Sequence, residues 1–578
     1  ILEILRSIYG ASADALAPKI AELISNFQAS PSIRSRGRGR SPLPLGAEDV
    51  LLITYGDQVA APGESPLRTL HDFLTTHAAT SISGVHVLPF YPSSSDDGFS
   101  VIDYQRVDPA LGDWPDIDAL SRNFDLMFDA VFNHLSARSA WFEGFLRDDE
   151  KFRDYFITVS GNPDLSKVVR PRALPLLTEF QTNRGFEKVW TTFSADQVDL
   201  NFRNPEVLLE VLHALLFYAS RGARFIRLDA IAYLWKEIGT ACIHLPQTHG
   251  VIQLFRAVLD AVAPEILLIT ETNVPHTDNI SYFGDGTNEA QLVYNFALPP
   301  LIVHSIQTGS AIALTRWASS LRLSSNQVAF FNFLASHDGI GLNPVRGILP
   351  ETDIEAMVQQ TLARGGFVSY KHNADGSKSP YEMNISFFDA LSDPRGAESL
   401  QQQIDRFLAA HAVLLALQGM PAIYFHSMFG SRSDRAGAES SGIPRRINRQ
   451  KFERSNLEKE LAESGSLRAR VLDSLKRLLH ARRQEAAFAP AAPQKILSLH
   501  EQVFAVRRTG PNGETVICLQ NLADRHVPIH SDAFAEVFGQ ASWTDLLRTE
   551  TGRMGFLETK SLAPYEVVWW KSQKVRSA

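Results

Sequence analysis

Cysteine is scarce in this chain: its 578 residues include only Cys242 and Cys518. A framework of disulfides needs more than two cysteines, so we expect inert thiols and a cytoplasmic location. Long apolar runs are also missing, since the best candidate, 412–429, is interrupted by polar residues and by Pro421. The sequence therefore predicts no membrane-spanning helix, and its first residues predict an amphipathic helix rather than a signal peptide.

An excess of positive charge is missing as well, because the formal net charge is −8. The chain has no electrostatic reason to bind DNA or an anionic membrane, and we expect neither as a partner. The exception is local, since 31–40 holds Arg34, Arg36, Arg38 and Arg40 among serine and glycine. A basic arm for nucleic acid is one interpretation of this run, but its shortness favours a solvated linker.

Motifs for cofactors and metals are absent too. No glycine-rich phosphate-binding loop stands between a predicted strand and a predicted helix. Oxygen ligands for calcium do not cluster outside the acids described below. The sequence therefore predicts a function that requires no cofactor and no metal.

What the sequence does contain is a repeated pattern of short apolar segments. The length and a hydrophobic content of 44% predict a soluble protein of two or more domains. Helical patterns lie between several of the segments, and continuous apolar runs are typical of parallel strands buried on both faces. Eight such runs predict an α/β fold, a closed (β/α)₈ TIM barrel. The eight segments are 50–55, 84–90, 124–131, 223–228, 265–270, 291–298, 328–335 and 421–427.

Two gaps between predicted strands are too long for simple loops. We predict inserted domains there, at 135–202 and 341–400, above the carboxyl ends of the strands. From about residue 487 the apolar residues alternate, which predicts a C-terminal β domain. The predicted organisation is a helical extension with a linker at 1–49, barrel segments at 50–134, 203–340 and 401–486, the two insertions, and the β domain at 487–578.

Acidic residues follow several of the predicted strands. Asp229 ends the fourth strand, Glu271 the fifth and Asp338 the seventh. Taken singly, each has a structural alternative, such as a helix N-cap for Asp229 or a turn for Asp338. Together they would meet at one end of the barrel, where unpaired carboxylates are costly to bury, so we interpret them as functional.

These acids suit the hydrolysis or transfer of a glycosidic bond. Arg227 lies two residues before Asp229 on the same strand, so we expect it to keep Asp229 ionised as a nucleophile. Glu271 follows an apolar run, which predicts a raised pKa and the role of general acid and base. Retaining enzymes hold two such carboxyl groups about 5 Å apart, and Asp338 would stabilise positive charge in the transition state.

Four motifs in this order resemble the signatures of the α-amylase superfamily, glycoside hydrolase family thirteen. They are DAVFNH at 129–134, FIRLDA at 225–230, ITE at 269–271 and SHD at 336–338. The resemblance implies the barrel fold and the three catalytic acids. Finer features resemble the sucrose phosphorylase subfamily, namely TYGD at 54–57, LPF at 88–90, RPR at 170–172, QVD at 197–199, ALPP at 297–300, HDGIG at 337–341 and INR at 447–449.

The subfamily resemblance implies further binding residues. Those expected to hold or shape the glucose site are Asp57, His134, Phe193, Gln197, Arg227, His337 and Arg449. Arg172 and Tyr381 are expected in the acceptor site, where phosphate must also bind, and a guanidinium suits phosphate because it donates paired hydrogen bonds. The implied partners are a small α-glucoside and inorganic phosphate. The sequence leaves the oligomeric state open.

The chain departs from sucrose phosphorylases at several positions. Tyr104 and Asn273 each stand where those enzymes have histidine, and we expect Tyr104 to stack on the sugar. In the acceptor loop, SPYE at 379–382 replaces a DLYQ pattern. The N-terminal extension, CIHLP at 242–246 and LASHD at 334–338 are more similar to glucosylglycerol and glucosylglycerate phosphorylases.

The acceptor is therefore the open question. Glu382 predicts repulsion of an anion such as glycerate, unless Lys371, Arg346 or His244 lies nearby. We accordingly expect a retaining phosphorylase of 2-O-α-glucosylglycerol that forms α-glucose 1-phosphate and glycerol. The alternatives are a phosphorylase of glucosylglycerate, sucrose or sucrose 6′-phosphate, a hydrolase of the same fold, and a non-catalytic relative, which would predict a broken set of acids.

Overall fold

The computed structural model describes residues 1–29, 43–172, 174–372, 377–529, 543–548 and 560–572. The predicted basic linker at 31–40 lies outside these ranges. In the described part of the chain, no helix is both long and apolar enough to cross a membrane.

A closed parallel barrel forms the centre of the molecule. Its strands lie around the barrel in chain order, and the first pairs with the last, as Leu51 with Ala422. The predicted (β/α)₈ barrel is thus confirmed. The eight strands are β1 Leu51–Thr54, β2 Gly84–Val87, β3 Asp125–Ala130, β4 Ala223–Leu228, β5 Leu267–Thr270, β6 Leu292–Tyr294, β7 Ala329–Asn332 and β8 Met420–Tyr424.

Helices cover the outside of the barrel and bury the outer faces of its strands. This is why the strands are continuously apolar, and every residue of β4 is buried. Several of the helices start at residues that favour a helix N-terminus. The Asn204 side chain, for example, accepts a hydrogen bond from the Glu206 amide, and Pro205 is the first residue of that helix. The larger helices of this layer are Pro66–His77, Trp114–Asn123, Pro205–Ser220, Pro246–Val262, Leu298–Thr308, Ile312–Ser320, Leu400–Ala416 and Leu467–Arg483.

The N-terminal extension adds two helices, Leu2–Tyr9 and Ala13–Ala29, to this outer layer. Ile8 packs against Gly250 so closely that a Cβ there would lie 2.8 Å from its side chain. The Tyr9 hydroxyl donates to the Phe202 carbonyl at 2.7 Å. The extension therefore packs against the barrel's helical layer on the side of β4.

Both long gaps between barrel strands contain secondary structure of their own. The first contains the helix Ala140–Leu146 and the hairpin of Leu177–Thr182 with Gly185–Trp190. The second contains the helix Glu351–Ala363 and a sheet of Ile340–Gly341, Lys378–Asn384 and Phe367–His372. The domain boundaries drawn from the sequence stay predictions.

A strand-rich C-terminal domain follows the last barrel helix, as the fold prediction required. Its sheet contains Gln494–His500, Val503–Thr509, Thr515–Asn521, Val567–Ser572 and Trp543–Asp545 in spatial order. Arg508, fully buried, donates to the carbonyls of Ala416 and Ala489 at 2.9 and 2.8 Å. Burial lowers the pKa of Arg508 to about 10, so this cation stabilises the domain contact by satisfying carbonyl groups rather than by pairing with an acid.

The packing of the extension predicts its contribution to stability. Leu5 is fully buried, so Leu5→Ala should lower the free energy of unfolding by about 2–5 kcal/mol through lost burial and a new cavity. Leu2→Ala in the same helix is the matched control, because Leu2 is 37% exposed. Urea unfolding of both variants measures the difference. Equal stabilities would mean that the extension does not unfold together with the barrel.

Candidate active site

The three predicted catalytic acids line one cavity at the carboxyl ends of the barrel strands. Parallel pairing of β4 and β5 places Glu271 beside Asp229, because Thr270 is in register with Leu228. The Ala230 amide donates to Glu271 Oε2 at 3.2 Å. Ala230 has a φ of 49°, a left-handed conformation that is costly without glycine and is found at functional turns.

Arg227 is held between two buried carboxylates. Its Nη1 lies 2.7 Å from Asp229 Oδ1 and also bonds Asp129. His86 Nε2 lies 2.6 Å from the other oxygen of Asp129. Burial alone would raise the pKa of Asp129, but Arg227 and His86 outweigh it and hold that pKa at about 2. Asp129 is therefore ionised and fixes the guanidinium that faces Asp229.

The ionisation of Asp229 differs from our expectation. Burial raises its pKa to about 8, against the opposing effect of Arg227 and with a further rise from the charge of Glu271. Arg227 opposes this rise but does not outweigh burial, and the same guanidinium also pairs with Asp129. The expected rise in the pKa of Glu271 is found, and its first cause is also burial. Because the two acids interact strongly, we infer that they share one proton near neutral pH.

Asp338 has the opposite electrostatics. Burial acts to raise its pKa, but Arg445, His337 and Arg449 together hold that pKa well below the usual range. Arg445 Nη1 lies 2.7 Å from Asp338 Oδ1. An acid that stays ionised in the cavity suits the stabilisation of positive charge on a reacting sugar.

Most of the other predicted residues meet at the same cavity. The His134 ring lies 5.3 Å from that of Phe193, and Gln197 Nε2 lies 3.2 Å from His134 Nε2. Arg172 lies over the Phe193 ring at 5.6 Å and pairs with Asp96 at 2.9 Å. The predicted residues that line the cavity, beside the three acids, are His134, Arg172, Phe193, Gln197, Asn273, His337 and Tyr381.

Two predicted glucose ligands line a neighbouring groove, and one of them, Arg449, also lies 3.7 Å from Asp338 Oδ1. Asp57 pairs with Lys451 at 2.5 Å, and Arg449 pairs with Asp97 at 2.6 Å; all four residues line that second groove. Arg449 also contacts the backbone of the catalytic centre, since its Nε donates to the His337 carbonyl at 2.8 Å.

Tyr104 is not among the described residues that line the catalytic cavity, and its predicted stacking on the sugar is wrong. Its hydroxyl donates to the Val131 carbonyl at 2.9 Å, and its ring meets Phe132 edge-on. The residue supports the segment after β3 from within the core.

Glu382 does not carry an uncompensated charge, so the predicted repulsion of an anionic acceptor loses its basis. The residue is 1% exposed, and Arg445 donates to both of its oxygens, from Nε at 3.0 Å and from Nη2 at 2.6 Å. The Gly339 amide donates to Oε1 as well. The compensating cation is therefore Arg445 rather than the three candidates considered from sequence, of which Arg346 pairs with Glu351 and His244 with Tyr282.

Sequence reasoning missed three charged residues at the site, Arg445, Asp96 and Asp97. The two aspartates have φ values of 54° and 49° ahead of Gly98, so this short turn is strained and aims Asp96 at Arg172 and Asp97 at Arg449. Arg445 precedes the INR motif by one residue. Pairs of acids before glycine and paired arginines are the signals that could have pointed to these positions.

A buried ammonium group links the site to the first insertion. Lys236 lies 2.5 Å from Asp199 and 2.7 Å from Asn133 Oδ1, beside His134. Lys236 thus supplies the positive charge that Asp199 requires at this junction.

In the described residues, no group of His, Cys, Asp and Glu side chains is arranged to hold a metal.

Comparisons with known proteins agree with the motifs. Residues 78–340 match the family model of the α-amylase catalytic domain. The chain is 54% identical to the glucosylglycerate phosphorylase of Allomeiothermus silvanus, with 91% of this chain and 92% of that protein covered. It is 43% identical to the Escherichia coli protein of the same name, with 99% of each covered.

More distant relatives differ in their acceptors. The glucosylglycerol phosphorylase of Marinobacter adhaerens is 29% identical, over 71% of this chain and 83% of that protein. Among solved structures, the sucrose 6F-phosphate phosphorylase from Thermoanaerobacter thermosaccharolyticum matches with a TM-score of 0.73 at 25% identity, covering 84% of this chain and 96% of that one. The predicted family resemblance is confirmed, while the predicted preference for glucosylglycerol is not supported.

Replacing Glu271 tests its role as the proton donor. Glu271→Gln should abolish turnover of a natural glucoside, whose leaving oxygen needs a proton, while an activated donor such as α-glucosyl fluoride still glucosylates the enzyme. Rapid quenching and mass spectrometry of the intact protein measure the glucosyl adduct. Equal loss with both donors would contradict the assignment.

The shared proton predicts the pH dependence. Activity needs one proton on the pair, so it falls on the acid side when Asp229 is also protonated and on the alkaline side when Glu271 loses its proton. Because burial raises the pKa of Glu271, the alkaline limb of kcat/KM should lie above the ordinary range of a glutamate, at about pH 6 or higher. An alkaline limb below pH 6 would contradict the shared proton.

Proposed function

The chain belongs to the α-amylase family and to its glycoside phosphorylases, and we propose that it transfers the glucosyl group of an α-glucosylglycerate to phosphate. The products are α-glucose 1-phosphate and glycerate. The observation that carries the proposal is the ion pair of Glu382 with Arg445, because it neutralises the acid of the acceptor loop and orients a guanidinium that lines the cavity. The names and high identity of the relatives support the same acceptor.

The proposed mechanism is a double displacement. Asp229 attacks the anomeric carbon and forms a glucosyl ester while Glu271 protonates the departing glycerate oxygen. Phosphate then gives a proton to Glu271 and attacks the same carbon, which releases Asp229. Asp338, held ionised by Arg445 and His337, stabilises the positive charge that develops in both steps.

A phosphorylase differs from a hydrolase in its need to admit an anion. Four acids line the cavity, Asp96, Asp229, Glu271 and Asp338, and their charge would repel phosphate unless cations compensate it. Arg172 and Arg445 both line the cavity. We propose that Arg172 helps to hold phosphate, as the family resemblance implies. No macromolecular partner is proposed.

We also propose a cytoplasmic location. Cys242 and Cys518 are both buried free thiols, which suits a reducing compartment. α-Glucose 1-phosphate is a charged product that a cell retains, since a phosphate ester crosses a bilayer poorly.

Acceptor competition tests the proposed function. With α-glucose 1-phosphate as donor, glycerate should be glucosylated with a kcat/KM at least about tenfold above that of glycerol, which corresponds to one charge-assisted hydrogen bond. Phosphate release and product identification by NMR measure both reactions. A preference for glycerol would restore the glucosylglycerol interpretation, and release of free glucose at the same rate without acceptor would indicate a hydrolase.

A further inference from the structure

We propose that Arg445 is the residue that selects an acceptor carrying a carboxylate, and that the same guanidinium receives phosphate in the second half-reaction. The inference rests on the proposed function, which it deepens by naming the group that reads the acceptor's charge. Glu382 would act as a positioning residue that fixes the plane of the guanidinium.

The geometry of Arg445 leaves one edge of its guanidinium toward the cavity. Glu382 takes the edge formed by Nε and Nη2, at 3.0 and 2.6 Å. Nη1 lies 2.7 Å from Asp338 Oδ1. A guanidinium carries five N–H donors. Two of them are directed to Glu382 and one lies beside Asp338, which leaves one hydrogen of Nη1 and one of Nη2 for a ligand. The Arg445 side chain is 24% exposed and lines the catalytic cavity.

Tyr381 and Glu382 are neighbours on the strand Lys378–Asn384, at a shift in its pairing register with Phe367–His372. Such an irregularity redirects side chains locally. Tyr381 lines the cavity, whereas Glu382 is 1% exposed. The acceptor loop thus presents an aromatic ring to the ligand and uses its acid to orient an arginine from the segment Pro444–Asn448.

Two other arginines at the site also pair with acids, but with acids of the cavity or of the barrel core. Arg227 lies between Asp129 and Asp229 and is 2% exposed. Arg172 pairs with Asp96, and both Arg172 and Arg445 lower the pKa of that aspartate against the effect of burial. Arg172 and Arg445 therefore both lie near the carboxylate of Asp96. Of the two, only Arg445 is fixed by an acid outside the cavity, Glu382.

Retention of configuration requires one acceptor site for two anions. The glucosyl ester on Asp229 blocks one face of the sugar, so glycerate leaves and phosphate arrives on the face of Glu271. In the first step the bond from the anomeric carbon to the glycerate oxygen breaks, and the proton on that oxygen comes from Glu271. In the second step a phosphate oxygen forms the new bond to the anomeric carbon as the ester bond to Asp229 breaks, and the phosphate proton returns to Glu271. A cation at this face serves both anions in turn.

The test compares two acceptors that differ at one carbon. Glycerate has a carboxylate where glycerol has a hydroxymethyl group, and the other two carbons and their hydroxyl groups are the same. With α-glucosyl fluoride as donor, no phosphate takes part, and the ratio of kcat/KM for glycerate to that for glycerol is measured. A general loss of activity cancels in this ratio.

Arg445→Gln should lower the ratio by at least about tenfold, because the charge-assisted hydrogen bonds to the carboxylate are lost. Arg445→Lys keeps the charge without the fork and should lower it less. The KM for phosphate should rise in both variants. Arg445→Lys also keeps a cation beside Asp338, so it can replace Arg445→Gln in this test if the glutamine variant does not fold.

Arg446→Gln is the matched control. It removes one positive charge at the next position, but Arg446 is 43% exposed, pairs with Asp97 and lines the second groove. Its ratio should equal that of the wild type. A wild-type ratio in both Arg445 variants, or an equal fall in the control, would overturn the proposal. A wild type without preference for glycerate would instead overturn the proposed function.

Discussion

The charge balance of a cavity with several carboxylates is the constraint on which the rest of this site depends. Asp229, Glu271 and Asp338 must lie close together for glycosyl transfer, yet burial and mutual repulsion raise the pKa values of acids. The structure divides the problem in two. Asp338 is paired with arginine and stays ionised, whereas burial raises the pKa values of Asp229 and Glu271 although Arg227 opposes the rise in both. Asp338 can therefore stay charged in the cavity while the pair of Asp229 and Glu271 keeps a proton.

The supporting charges form a second layer around the acids. Asp129 fixes Arg227, Glu382 fixes Arg445, and Asp97 fixes Arg449. Each of these arginines is thus paired on two sides, which limits its rotation and keeps a guanidinium plane aimed at the cavity. The same layer explains why Asp57 and Arg449 lie in a separate groove: the turn that carries Asp97 stands between that groove and the catalytic acids.

Local patterns in the sequence were sufficient to predict the barrel and its three acids. A strand buried on both faces must be continuously apolar, and a polar residue at its end must lie at the rim of the barrel. These two rules located the strands β4, β5 and β7 and the acids that follow them, Asp229, Glu271 and Asp338. Pairings between distant residues could not be read in this way. Arg445 and Glu382 are 63 positions apart, and neither position has a local signal for the other. Tyr104 was misjudged for the same reason, since its hydroxyl partners belong to the segment after β3.

The error about Glu382 has a general physical cause. A charge counted from sequence acts on a ligand only if no closer counter-charge neutralises it, because the energy of two charges falls with their distance. Glu382 lies 2.6 Å from Arg445, and the pair together has no net charge. The acid therefore does not repel an anion in the cavity, while the guanidinium it orients still has N–H donors to offer. An acidic residue in an acceptor loop can in this way favour an anionic acceptor.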